Sequence, residues 1–107
     1  MKIYVSLPIT GHDIEQAKAR AAIIKQFLSS EWSTVITPFD VCPEKDKPYS
    51  YYMGRDIEAL LECDAIFMAN GWESSKGCNL EYNAAVLYGK QIFTEIMLKN
   101  AGNIVLT

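Results

Sequence analysis

The sequence has little of what most metal, disulfide and membrane sites require. His12 is its single histidine, and its three cysteines form no C-x-x-C pair, so we expect neither a metal site nor a disulfide framework. No apolar run reaches the length that spans a bilayer, and the first residues lack the hydrophobic core of a signal peptide. We therefore expect a cytoplasmic protein that does not act at a membrane.

Positive charge is scarce as well. Ten Lys and Arg residues stand against thirteen Asp and Glu residues, which gives a formal net charge of -3, and neither sign forms a long run. Nucleic-acid binding draws on clustered basic side chains that release counterions from phosphates. We expect a small-molecule ligand and no nucleic acid.

The length of the chain is that of one ordinary domain. It has 107 residues, half of them hydrophobic, so we expect a single domain over residues 1–107. A domain of this size buries a smaller share of its surface than a large one. We therefore expect a shallow site that a neighbouring copy completes in a homo-oligomer.

Segments with strand and helix patterns alternate along the chain. The predicted strands are 2–6, 34–37, 64–69, 91–94 and 104–106. The predicted helices are 12–29, one from residue 50, 77–88 and a short turn at 96–100, whereas 39–49 is expected to be a loop. This order predicts an α/β fold, a doubly wound parallel sheet of about five strands in a flavodoxin-like or Rossmann-like three-layer sandwich.

The loops that follow the strands are expected to converge at one edge of this sheet. With the first and third strands adjacent, their loops meet at the topological switch point, where ligands bind in such sheets. The first loop, 6–11, leads toward a helix start that favours an anion or a sugar, although it matches no phosphate-binding signature and a plain turn explains it equally well. The third loop, 71–77, offers serine hydroxyls and a lysine; helix capping by Ser74 or Ser75 is its alternative explanation.

Two carboxylates are the main candidates for chemistry. Glu81 shares a helical stripe with small or apolar residues, namely Gly77, Ala84, Ala85 and Tyr88. An inward glutamate near a helix start is suited to act as a nucleophile or base, although the helix dipole alone also favours it there. Asp56 is suited to divide acid and base roles with it, or simply to pair with Arg55.

Several aromatic residues are candidates for a flat wall against a nucleobase. They are Tyr4, Tyr49, Tyr51, Tyr52 and Trp72. Base stacking tolerates any ring face, but aromatic side chains more often pack in the core. We expect core packing for at least half of them.

Four motifs together resemble one known group of proteins. They are the segments 2–11 (K-I-Y-V-S-L-P-I-T-G), 54–57 (G-R-D-I), 63–66 (C-D-A-I) and 71–81 (G-W-E-S-S-K-G-C-N-L-E). The chain resembles the nucleoside 2-deoxyribosyltransferase-like superfamily over nearly its whole length. It is most similar to a small branch from phages and bacteria, the DUF4406-like proteins, whose hallmark is G-W-x-x-S-x-G-x-x-x-E.

The resemblance implies roles for particular residues. Glu81 would attack the anomeric carbon or stabilise the sugar cation, Asp56 would transfer a proton at the base, and Tyr4 would organise the pocket. No metal and no cofactor is implied. The expected substrate-binding residues are Ser6, Pro8, Ile9, Thr10, Gly11, Trp72, Ser75 and Gly77, of which Ser75 and Gly77 match the sugar or 5′-phosphate end.

The chain also departs from the superfamily at two places. Relatives that hydrolyse nucleoside monophosphates carry an arginine in the first loop, where this chain has Pro8 to Gly11, so recognition of a 5′-phosphate stays open. The superfamily often completes its site with a polar residue from a neighbouring subunit's C-terminal region, and Asn100 or Asn103 would be the source here.

The expected function follows from residues and resemblance together. We expect an enzyme acting on the N-glycosidic bond of a (deoxy)nucleoside or nucleoside monophosphate, by deoxyribosyl transfer or by hydrolysis. The first alternative is a non-catalytic nucleotide or nucleotide-sugar sensor. The second is a structural oligomer in which Glu81 only satisfies a helix end.

Overall fold

A computed structural model describes residues 1–30 and 32–100 of the chain. The strands are β1 (Lys2–Ser6), β2 (Thr34–Ile36), β3 (Ala65–Met68) and β4 (Gln91–Thr94). The helices are α1 (Ile14–Leu28), α2 (Pro38–Val41), α3 (Tyr49–Leu61), α4 (Lys76–Leu87) and α5 (Glu95–Asn100), and a 3-10 turn, Trp72–Ser74, precedes α4. None of the described helices has both the length and the apolar character needed to cross a bilayer.

The sheet is parallel and has the order β2-β1-β3-β4. Helices cover both of its faces, with α1 and α5 packed on one face and α3 and α4 on the other. The predicted doubly wound α/β sandwich is therefore confirmed, including the adjacent first and third strands. The described residues contain four strands, and the fifth strand, expected at 104–106, lies outside them.

Each central strand contributes side chains to two separate cores. Along β1, Ile3 and Val5 join the core under α1, whereas Tyr4 joins the core under α3 and α4. All four residues of β3 are buried in the same alternating way. This two-sided burial explains the continuous apolar run of β3, because neither of its faces meets water.

The segment that the sequence predicted to be a loop is partly helical. Thr37 and Asp40 form a reciprocal capping box, and Pro38 occupies the first helical position, so α2 forms within this short segment. The next helix, α3, begins at Tyr49, one residue before its predicted start at residue 50. Tyr49, Tyr51 and Tyr52 therefore belong to the first turn of α3.

The loops after β1 and β3 meet above the carboxyl end of the sheet, as predicted. The Ala69 amide donates to the Ser6 carbonyl oxygen at 2.9 Å. Further along, a Cβ atom on Gly71 would lie 3.6 Å from Cγ of Pro8, and Gly71 itself has a φ of 90°. That left-handed conformation suits glycine and lets the third loop turn back toward the first.

Candidate active site

Glu81 is held inside the protein by two hydroxyl groups. It lies on the inner side of α4 with 4% of its surface exposed. The Tyr4 hydroxyl donates to its Oε2 at 2.6 Å and the Ser6 hydroxyl to its Oε1 at 2.7 Å. Tyr4 and Ser6 are two residues apart on β1, so both side chains point to the face of the sheet that α4 covers. Each carboxylate oxygen therefore has its own donor.

Burial and hydrogen bonding act in opposite directions on this carboxyl. Burial raises the pKa of Glu81 to about 7, and the hydrogen bonds from Tyr4 and then Ser6 oppose the rise. Without those two donors the buried group would be protonated over a still wider pH range. The hydroxyls thus keep the carboxylate form accessible near neutral pH.

Asp56 is the second buried carboxyl of the site. It lies on α3 with 7% of its surface exposed, and its Oδ1 is buried without a hydrogen-bond partner among the described residues. The predicted alternative of a pair with Arg55 is wrong, because the Arg55 guanidinium binds Glu58 at 3.0 Å. Arg55 lies on the exposed side of α3, whereas Asp56, the next residue, lies on the buried side.

Asp56 and Glu81 influence each other's ionisation. Burial raises the pKa of Asp56 to about 7, the charge of Glu81 adds to the rise, and the nearby Tyr4 hydroxyl opposes it. Two such groups lose their protons in steps that belong to the pair. Because Glu81 accepts two hydroxyl donors and Oδ1 of Asp56 accepts none from the described residues, the ionised form is better stabilised at Glu81 and the proton at Asp56.

Both carboxyl groups open onto one cavity of about 870 Å³. Its walls come from the loops that follow β1 and β2, from the first turns of α3 and from the start of α4. This is the switch point of the sheet, where the sequence predicted a ligand site. The volume lies within the range of small-molecule and cofactor sites.

The predicted substrate-binding residues fall into two groups. Ile9, Thr10, Ser75 and Gly77 line the cavity, whereas Ser6, Pro8, Gly11 and Trp72 do not. Ser6 lies behind Glu81, and Pro8 faces the third loop. The Trp72 ring stacks on Tyr82, with ring centroids 4.9 Å apart, and so packs against the helix that follows it.

The starts of α4 and α1, which the sequence analysis singled out, both carry side-chain caps. Ser75 accepts a hydrogen bond from the Cys78 amide at 3.2 Å, so the capping explanation holds for this serine, which also lines the cavity. At the start of α1 the Gln16 amide donates to the Asp13 carboxylate at 3.0 Å. The start of α1 is thus capped by a carboxylate of the chain itself.

The aromatic wall is smaller than the sequence suggested. Tyr4 is fully buried beneath Glu81, while Tyr51 and Trp72 do not line the cavity. Tyr49 and Tyr52, on the first turn of α3, do line it.

The inward stripe on α4 is shorter than predicted as well. Tyr88 is exposed because α4 ends at Leu87, and Tyr88 follows with φ of −101° and ψ of 15°.

Sequence reasoning missed a clamp that holds the start of the third loop. Oε1 of the buried Glu95 accepts the Asn70 amide at 3.1 Å and Nη2 of Arg20 at 3.0 Å. The same Arg20 nitrogen donates to the Asn70 carbonyl oxygen at 3.1 Å. This loop clamp, formed by Arg20, Asn70 and Glu95, joins residues that are far apart in the chain, so no local pattern signals it.

Fold and site together define a Rossmann-like α/β protein with a carboxylate pair at its switch point. The family model DUF4406, described as a domain of unknown function, matches residues 1–94. The chain belongs to this family.

A solved structure shares the fold. It is a 2-deoxyribosyltransferase from Leishmania mexicana, which superimposes with a TM-score of 0.68 at 20% identity over 87% of this chain. The present chain spans 62% of the length of that protein. No curated protein sequence matches the chain significantly. The predicted resemblance to the DUF4406-like proteins is confirmed by the family match, and the solved structure shows that this chain shares the fold of a deoxyribosyltransferase.

Proposed function

We propose that the protein is an enzyme that cleaves the N-glycosidic bond of a (deoxy)nucleoside or nucleoside monophosphate. The observation that carries this proposal is Glu81, a buried carboxylate held by Tyr4 and Ser6 at the edge of the cavity. Burial excludes water from a charge that would otherwise be well solvated, and hydrogen bonds fix its direction. Such a group is suited to an electron-poor anomeric carbon.

The reaction divides between the two carboxyl groups. Glu81 attacks the anomeric carbon as the bond to the base breaks, and the bonding electron pair leaves with the base, which takes a proton from Asp56. Water or an acceptor base then attacks the anomeric carbon and gives a proton to the Asp56 carboxylate as the bond to Glu81 breaks, which completes hydrolysis or transfer and restores both carboxyl groups. This is the division of roles that glycosidases make between two carboxyls. Neither step calls for a metal or a dissociable cofactor.

The other residues serve this chemistry indirectly. Tyr4 and Ser6 are positioning residues, since their hydroxyl protons are given to Glu81. Ile9, Thr10, Ser75 and Gly77 are the proposed substrate contacts because they line the cavity. Pro8, Gly11 and Trp72 are proposed to shape the loops around it.

We further propose that one domain over residues 1–107 acts in the cytoplasm as a homo-oligomer. A cavity open at the sheet edge gains water exclusion when a second copy covers it. Asn100, at the end of α5, is one candidate for a residue donated by a neighbour. The other, Asn103, lies outside the described residues.

The test is release of free base from four 2′-deoxynucleosides and their 5′-monophosphates. Glu81→Gln keeps the shape of the side chain but removes its charge, so turnover is expected to fall about 10²-fold or more while the fold is kept. Glu73→Gln, an exposed change just before α4, is the matched control and is expected to behave as wild type. Turnover within a few-fold of wild type in Glu81→Gln would remove Glu81 from the mechanism. Tight nucleotide binding without base release would instead indicate a sensor.

A further inference from the structure

Tyr49 brings an unused hydroxyl group to the cavity. Of the two tyrosines that line it, Tyr52 donates to the Glu44 carbonyl oxygen at 2.9 Å and accepts from the Lys47 amide at 3.2 Å. Tyr49 makes no hydrogen bond to any residue of 1–30 and 32–100, although burial and then the charge of Glu81 raise its pKa. Tyr49 is 53% exposed and lines the cavity, and its hydroxyl has no hydrogen-bond partner in this part of the chain.

The position of this hydroxyl depends on Gly77. A Cβ atom on Gly77 would lie 3.0 Å from the Tyr49 hydroxyl oxygen and 3.3 Å from Sδ of Met53. The missing side chain of Gly77 is thus the space that Tyr49 uses against the first turn of α4. Glu81 lies four residues further along the same helix, so the Tyr49 hydroxyl and the carboxylate lie along one side of the cavity.

A sugar bound with its anomeric carbon at Glu81 needs hydroxyl partners of its own. The hydroxyls of Tyr4 and Ser6 cannot donate to it, because their protons are already given to Glu81. A phenol both donates and accepts, which matches a sugar hydroxyl in either role. Tyr49 supplies such a group one helical turn from the carboxylate.

We propose that the Tyr49 hydroxyl binds a hydroxyl group of the substrate's sugar and that Gly77 keeps the space for it. This inference rests on the proposed function, since it takes the sugar to lie at Glu81. It adds Tyr49 to Ser75 and Gly77, which the resemblance placed at the sugar or 5′-phosphate end. The expected role is substrate positioning, separate from the bond-breaking step.

The first experiment compares Tyr49→Phe with Tyr51→Phe on the 2′-deoxynucleosides. Loss of one neutral hydrogen bond is expected to raise KM about 3- to 10-fold, with kcat within about 2-fold of wild type. Tyr51 lies two residues further along α3 and does not line the cavity, so Tyr51→Phe is expected to leave both constants unchanged. An unchanged KM in Tyr49→Phe would overturn the inference.

A second experiment tests the link to Gly77. Gly77→Ala is expected to push the phenol aside and raise KM by at least as much as Tyr49→Phe. In the Tyr49→Phe background the added methyl no longer meets the hydroxyl oxygen. The rise in KM of the double variant is therefore expected to be smaller than the product of the rises in the two single variants. The contact with Met53 is common to both backgrounds and cancels. Fully multiplicative effects would overturn the assigned role of Gly77.

Substrate analogues identify the partner on the sugar. The rise in KM caused by Tyr49→Phe is expected to disappear on either the 3′-deoxy or the 5′-deoxy analogue of the best nucleoside. On that analogue the sugar lacks the hydroxyl that Tyr49 binds, so wild type and variant both lack the hydrogen bond. A rise in KM that persists on both analogues would overturn the sugar contact. Base release that depends on Glu81 but not on Tyr49 would overturn this inference alone. A protein that neither binds nor cleaves any of the nucleosides would remove the proposed function and this inference together.

Discussion

Asp56→Asn tests whether the buried carboxyl pair makes stability depend on pH. In the folded protein burial raises the pKa of Asp56 from 3.8 to about 7. The folded state then holds more protons than the unfolded state between about pH 4 and pH 7. The stability of the wild-type protein is therefore expected to fall as pH rises through this window. The asparagine side chain of the variant does not titrate, so that part of the fall disappears.

The size of the effect follows from the same pKa difference. One pKa unit corresponds to about 1.4 kcal/mol, and integrating proton uptake between pH 5 and pH 8 gives a loss of about 2 to 3 kcal/mol for one such carboxyl. Burial also raises the pKa of Glu81 to about 7, so Glu81 titrates in the same window. The Asp56→Asn variant therefore keeps the part of the pH dependence that Glu81 causes. Asp56→Asn is thus expected to gain about 2 to 3 kcal/mol on wild type between pH 5 and pH 8.

Urea denaturation followed by circular dichroism at pH 5, 6, 7 and 8 measures this gain. Any constant effect of placing an amide at the site shifts all four points equally, so the slope alone carries the result. Glu58→Gln is the control, because Glu58 is exposed and pairs with Arg55 on the surface of α3. Parallel stability curves for Asp56→Asn and wild type would refute the raised pKa of Asp56.

Four further changes probe the site and its support. Ser6→Ala removes a donor that lowers the pKa of Glu81, so the acid limb of the pH–rate profile is expected to move up by about one pH unit, and an unmoved limb would contradict this. Gly71→Ala is expected to lower the free energy of unfolding in urea by about 1 to 2 kcal/mol, because residue 71 has a φ of 90°. Gly54→Ala, where the added methyl meets open space on α3, is expected to raise the free energy of unfolding by about 0.5 to 1 kcal/mol. Arg20→Met is expected to lower the free energy of unfolding by about 1 to 3 kcal/mol by opening the loop clamp, and a loss below the error of the measurement would show that the clamp is not needed.

The elements of the fold could be predicted because their signals are local. The apolar run 65–68 and the helical spacing around α1 and α4 reflect burial on a face that each element presents by itself. Placing β1 beside β3 then followed from the switch-point rule for doubly wound sheets. The short helix α2 was missed because four residues are too few for a periodic pattern, and its capping box provides the stabilisation instead.

The site could be predicted only in part. An inward Glu81 follows from its helical stripe, yet its two hydroxyl donors lie 77 and 75 residues away in the chain and are recognisable only once β1 and α4 pack together. The same holds for Tyr49 and Gly77, whose contact joins the first turns of two helices.

The sequence by itself determined the four described strands, every described helix except α2, the adjacency of the first and third strands, and the edge at which the loops converge. Those properties depend on backbone preferences and on burial periodicity within a few residues. Only the tertiary structure decided that Asp56 is buried while Arg55 is exposed, and that Tyr49 lines the cavity while Trp72 does not. Such outcomes depend on side chains from different elements competing for one space, and a linear pattern does not carry those distances.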